Sequence, residues 1–133
     1  ATLADEVDAL LERDALQTFS LANKAGAVVT GFAKVEKAVA DQEVAGLVHA
    51  RDAGADGVRK LGQALNRAFG AKGAEVPQVR LFVSDQLDLA LGRSNVVHAA
   101  LKTSPAASAF LTRALRLSQY RGEGALTGVA LDE

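Results

Sequence analysis

The sequence predicts a three-layer α/β/α sandwich built on a small four-stranded sheet. Segments with apolar residues at helical spacing alternate along the chain with short runs that are apolar almost throughout, as strands covered on both faces must be. That alternation is the mark of helices packed on the two sides of a sheet. Supply sets the size. Of 133 residues 49% are hydrophobic, but alanine accounts for 27 of them, and Leu (18), Val (14), Phe (5) and Tyr120 leave 38 large apolar side chains. These fill one core and not two. One domain is therefore expected over residues 1–121, with 122–133 as a flexible, Gly-rich acidic tail.

Thr2 is placed to cap a first helix, with Asp5 as a short form of the capping box. Leu3, Val7, Leu10, Leu11, Ala15, Phe19 and Ala22 then keep helical spacing up to Gly26. The pattern leaves open whether 3–25 is one helix or two. Residues 27–30 read as a first strand. Thr30-Gly31 opens a second helix to about Ala40, with Phe32, Val35 and Val39 on one side. Residues 43–50 read as a second strand, and Asp52 or Asp56 as the cap of a third helix carrying Val58, Leu61, Leu65 and Phe69. After a loop over 71–77 come a third strand (79–83), a short helix capped by Ser84 and stopped by Gly92, and a fourth strand (96–101). Ser104-Pro105 starts the last helix, with Ser as cap and Pro in the first turn. Its stripe is Ala107, Phe110, Leu111, Ala114 and Leu115; Arg113, Arg116 and Arg121 are expected to face outward.

Several function classes drop out. Without cysteine there is no disulfide framework, thiolate nucleophile or Cys-based metal site. No apolar run approaches the roughly 18–20 residues of a membrane span, and no signal sequence leads the chain. A cytoplasmic protein is expected, and the missing initiator Met fits a chain processed or cut from something larger. No G-x-S-x-G elbow and no G-x-x-x-x-G-K-[ST] loop is present. His49 and His98 each sit inside an apolar strand, where packing is the ordinary role, and two histidines alone do not make a zinc site. Asp85 and Asp88, at a helix start, serve the macrodipole first. Nothing demands an enzyme, a cofactor, a metal or a small-molecule substrate.

The charge is uneven. The net −1 divides into −4 over 1–14, +6 over 15–121 and −3 over 122–133. A basic body between acidic ends points modestly toward a polyanion. A broken local rule points the same way. The helix opening at Thr30-Gly31 carries Lys34 in its first turn and Lys37 one turn later, where the macrodipole favours acids by roughly 0.3–1 kcal/mol. Unpaired N–H groups at that end attract anions, and Gly31 leaves room for one. Lys24 adds a third cation if the short strand folds back beside it.

Leu21-Ala22-Asn23-Lys24-Ala25-Gly26, then Val29-Thr30-Gly31 and Lys37-Ala38-Val39, resembles the opening of the kink-turn RNA-binding ribosomal proteins, the L-seven-Ae/L-thirty-e family. The likeness continues through His49-Ala50-Arg51-Asp52, Val79 to Val83 and Leu87-Asp88-Leu89-Ala90-Leu91-Gly92. It covers roughly residues 15–118, with Arg93-Ser94-Asn95-Val96 where the family has its second RNA-contacting loop. More narrowly the chain is similar to the C-terminal module of a bacterial YlxR-type RNA-binding protein. The resemblance implies an α/β/α sandwich, no catalysis, and RNA- or ribosome-linked work. The family's helix opening reads G-x-N-E-x-x-K; here Gly31 and Lys37 match, while Ala33 and Lys34 stand at the Asn and Glu positions that read guanines. Alanine neither donates nor accepts, and lysine does not accept a guanine N–H. A base-reading element has become a phosphate-attracting one, which favours backbone-led binding.

Composition, charge and resemblance together describe a non-enzymatic RNA-binding module for structured RNA, with ribosomal RNA among the candidates. Lys24, Gly31, Lys34 and Lys37 form one side of the site, Arg93, Ser94 and Asn95 the other, and Arg51 joins them. Phe19, Phe69, Phe82 and Phe110 read as core, leaving Phe32 and Tyr120 to stack bases. Competing readings are a protein-interaction domain docking to a ribosomal or transcription partner, marked by an exposed apolar patch, and the substrate-recognition domain of an RNA-modifying enzyme.

Overall fold

The computed structural model describes residues 2–122 and 126–127. Thr2 caps α1 (Leu3–Lys24) reciprocally: its hydroxyl accepts from the Asp5 amide at 3.1 Å, and the Asp5 carboxylate accepts from the Thr2 amide. The helix is a single rod of 22 residues. There follow β1 (Val28–Thr30), α2 (Phe32–Ala40), β2 (Gly46–His49), α3 (Ala55–Phe69), a 3-10 segment (Gly70–Glu75), β3 (Gln78–Val79), α4 (Ser84–Leu91), β4 (His98–Leu101), α5 (Pro105–Arg121) and β5 (Leu126–Thr127). The sheet order is β1-β4-β2-β3-β5. β2 and β3 are parallel; β4 runs antiparallel to both β1 and β2. The four expected strands are joined by the two residues of β5, antiparallel to β3, within the segment read from sequence as tail. Gly122 ends α5 in the left-handed region; 123–125 and 128–133 lie outside the described residues.

Alternation along the strands sorts two layers. Val48, Ala99 and Leu101 face α1, α4 and α5, where Phe19 and Phe110 meet at 4.8 Å between ring centroids and Phe82 packs beside them. Leu47 and Ala100 face α2 and α3, packing on Val35, Val39, Leu61 and Leu65. Phe69 lies only partly buried at the edge of this second cluster. The three-layer α/β/α class is the one the alternation predicts.

Strands are shorter than the apolar runs that announced them. Ala50, Leu81, Phe82 and Val96 are buried, yet they belong to connections. Burial makes a run apolar whether or not it joins a ladder, so the pattern overstates strand length. Two caps also differ. α3 starts at Gly54 with no side-chain cap, because Asp52 is turned away to accept from the Ser84 amide at 3.0 Å. Asp56 instead pairs with Arg59 and Lys60 inside α3. Ser84 does not cap α4; it is the first helical residue, and its hydroxyl donates to the Val96 carbonyl at 2.8 Å.

The acidic N-terminal segment and the last helix form one electrostatic unit. Arg121 donates to Asp8 at 2.8 and 2.9 Å and to Glu12 at 2.8 Å, and Arg113 donates to Asp14 at 3.0 Å. Two of the three arginines expected to face outward therefore hold α1 on α5. The Tyr120 hydroxyl donates to the Ala4 carbonyl, so this ring is committed to the same junction. Much of the charge asymmetry read as a pointer to polyanions is internal neutralisation.

Arg121→Gln is expected to cost about 1–3 kcal/mol, since the side chain is only 14% exposed and leaves two carboxylates without their cation. The Arg121 hydrogen bond holds the Asp8 carboxyl below its usual 3.8. That stabilisation is complete above pH 3.8 and is lost as pH falls through the lowered folded value. Thermal melts should therefore separate variant and wild type widely at neutral pH and narrowly in strong acid. A gap independent of pH would contradict the pairing.

Candidate nucleic-acid interface

β1, β2 and β3 point the same way, so their C-terminal ends share one edge of the sheet with the start of β4. Four connections meet there. The Gly31 amide donates to the His98 carbonyl at 3.0 Å, and the Ala50 amide to the Val97 carbonyl at 2.8 Å. The Arg51 amide donates to the Phe82 carbonyl, and Arg80 reaches the carbonyls of Arg51 and Ala53 at 3.3 and 3.4 Å. Open ends of this kind are where α/β sheets bind ligands.

Gly31 has φ 95°, a conformation that strains any residue with a Cβ, and it lets β1 turn abruptly into α2. α2 has no side-chain cap and no acid in its first turn, so its N-terminal amides keep their positive end exposed beside Lys34. The connection from α4 to β4 is pinned by Asp88, whose carboxylate accepts from the amides of Asn95 at 3.2 Å and Val96 at 2.8 Å. Asp88 thus orders the loop bearing Arg93, Ser94 and Asn95 rather than serving the macrodipole. Gly92 and Asn95 both take left-handed φ to make the turn.

Of the residues singled out from sequence, Gly31, Lys34 and Arg51 flank this edge, and Arg93, Ser94 and Asn95 stand exposed on the pinned loop that returns to it. Lys37 lies one turn further along α2 and is engaged by Asp41 at 2.7 Å, a pairing that raises its pKa. Lys24 does not fold back beside Gly31. It closes α1 on the other face of the sheet, before β1, next to Asn23, whose amide approaches the Leu91 carbonyl at 3.5 Å. Phe32 meets His98 in a T-shaped contact, ring centroids 5.9 Å apart, and is half-buried.

Sequence reasoning missed the floor of the site. His49 and His98 are register partners on β2 and β4, 1% and 7% exposed, with their Nδ1 atoms 2.9 Å apart. Gln78 Oε1 accepts from His49 Nε2–H at 2.8 Å, so His49 Nδ1 carries the lone pair and accepts from His98 Nδ1–H. Burial is the main force on both rings and favours their neutral forms. It pushes His49 down to about 4 against the opposing Gln78 bond, and the neighbouring Arg80 charge lowers both. Only strand register reveals this pair, because each histidine alone looks like ordinary packing.

The His98 ring also explains Gly57. A Cβ at position 57 would lie 2.7 Å from His98 Nε2. Gly57→Ala is expected to destabilise by about 1–3 kcal/mol, overriding the roughly 1 kcal/mol that alanine normally adds in a helix. Because both histidines have depressed pKa values, unfolding releases groups that take up protons more readily. Stability is therefore full above pH 6.5 and falls as pH drops from there toward 4. Urea midpoints at pH 7 and pH 5 should differ, and His49→Gln should flatten the difference. Equal wild-type midpoints would contradict neutral burial.

No protein-family model matches the chain, and no curated protein matches it. Solved structures do. A protein with unknown function from Bacillus halodurans shares 22% identity, with TM-score 0.65 over 75% of this chain and 95% of its own. The 15.5kD RNA binding protein of Giardia lamblia shares 17% identity, with TM-score 0.60 over 83% of this chain and 89% of its own. At these identities the shared property is the fold: this chain has the architecture of that RNA-binding protein.

Proposed function

We propose that the chain is a non-catalytic RNA-binding module of the kink-turn-binding type, working in the cytoplasm on structured RNA and holding it mainly by phosphates. The observation that carries this reading is that exposed Lys34, Arg51 and Arg93 are borne on connections that converge at one end of the sheet, beside the uncapped start of α2. Cations beside unpaired helix amides suit phosphate oxygens. Of the nearby acids, Asp56 is paired with Arg59 and Lys60, and Asp52 and Asp88 accept from the amides of Ser84 and of residues 95–96, while Asp85 stands exposed at the start of α4. The shared fold with an RNA-binding protein supports the same reading. Ala33 and Lys34 remove the groups that would read guanine edges, so the preference is for backbone shape over base identity. On this reading the chain serves as the RNA-holding part of a YlxR-type protein in ribosome- or transcription-linked work.

Lys34→Ala combined with Arg93→Ala should weaken binding to different structured RNAs alike. The slope of log affinity against log salt should fall by about 0.7–0.9 for each phosphate no longer neutralised. Thermal stability should hold or rise slightly, because Lys34 opposes the α2 dipole. Filter binding at several salt concentrations, with a kink-turn RNA beside an unrelated hairpin, reads all of this. Unchanged affinity and slope would overturn the assignment; a strong kink-turn preference would show that base reading survives without the Asn and Glu.

A further inference from the structure

α1 carries two sets of charges. Asp8, Glu12 and Asp14 face α5 and are paired there. Glu6 and Arg13 face outward, and neither has an ion-pair partner among the described residues. On the same outer surface Leu3, Leu10 and Leu21 are 77%, 55% and 56% exposed. Spaced seven and eleven apart, they fall on one line along a helix turning about 100° per residue. Glu6 and Arg13, also seven apart, run beside that line and straddle Leu10. A cleft of about 390 Å³ opens among Glu6, Ala9, Leu10 and Arg13. A second of about 410 Å³ continues from Arg13 toward Leu16 and Leu89, the latter 87% exposed.

We infer that this surface is self-complementary and receives α1 of a second copy of the chain, antiparallel, about a two-fold axis at Leu10. Antiparallel pairing about position 10 sets Leu10 on Leu10 and brings Glu6 to within one residue, about 1.5 Å along the helix, of the level of Arg13 of the second copy, and Arg13 likewise to its Glu6. A two-fold axis crossing the helix keeps each side chain on its own side of the leucine line, so both ion pairs form on one flank. Leu3 of the second copy then falls beside Gln17, with Leu21 one turn on. Opposite charges at near-equal distances from a central leucine are self-complementary, which is the property a closed two-fold interface needs. The surface lies on the α1/α4/α5 side, while the proposed RNA surface is centred on α2 and its neighbouring loops.

Sedimentation equilibrium of the chain over a wide concentration range should give a mass rising from one copy to two. Leu10→Asp should hold it monomeric, with helical circular dichroism unchanged. Glu6→Arg or Arg13→Glu alone should weaken association about tenfold by setting like charges face to face, and both changes in one chain should restore it. A mass of one copy throughout would overturn the proposal. So would a dimer indifferent to Leu10→Asp, or a double exchange no better than either single one.

Discussion

β4 enters the sheet between β1 and β2, antiparallel to both, and the rest of the molecule is measured from it. Its carbonyls and those around it take the amides that begin or end its neighbours: His98 from Gly31, Val97 from Ala50, Leu101 from Ala45. The first two bonds fix where α2 starts and where the loop toward α3 leaves, so residues around 31, 50 and 97 arrive at one edge, while the third ties the start of β2 to the far end of β4. Ala99 and Ala100, small and fully buried, let the helices of both layers close over this central strand. Exchanging β4 for an edge position would scatter the candidate interface and leave His49 and His98 without each other.

That edge gives up local stability for exposed chemistry. α2 and α3 both open at glycine without a side-chain cap, whereas α1 and α5 are capped by Thr2 and Ser104. A side-chain cap is commonly worth about 1 kcal/mol. The buried histidine pair beneath compensates by locking β2 to β4 through side chains as well as backbone.

Most of the fold was legible because it is written locally. Ser104-Pro105 starts α5, Gly92 and Gly122 stop helices in the left-handed region, and the fully buried runs of β2 and β4 announce strands covered on both faces. The lysine in the first turn of α2 was legible for the same reason, since its oddity is local. What stayed hidden depends on partners far along the chain. Asp52 has every feature of a cap for α3, yet its partner is an amide 32 positions on. Arg113 and Arg121 sit on a face that looks solvated until α1 is laid against it. Lys24 could be grouped with Gly31 only by guessing how β1 runs, and pairing with β4 carries Gly31 away from it.

The clamp between the first and last helices bears on the order in which the chain can fold. Asp14 and Arg113 are 99 positions apart, Asp8 and Arg121 are 113. α1 therefore waits for α5 before its acids are neutralised and the face it turns to that helix is covered. During synthesis α1 must persist on its own capping box, or remain unfolded, until residue 121 has emerged. Pairings this distant in sequence close late and slow the final step, because the intervening loop must be ordered first. Assembly then ends with α1 docking onto a body already built.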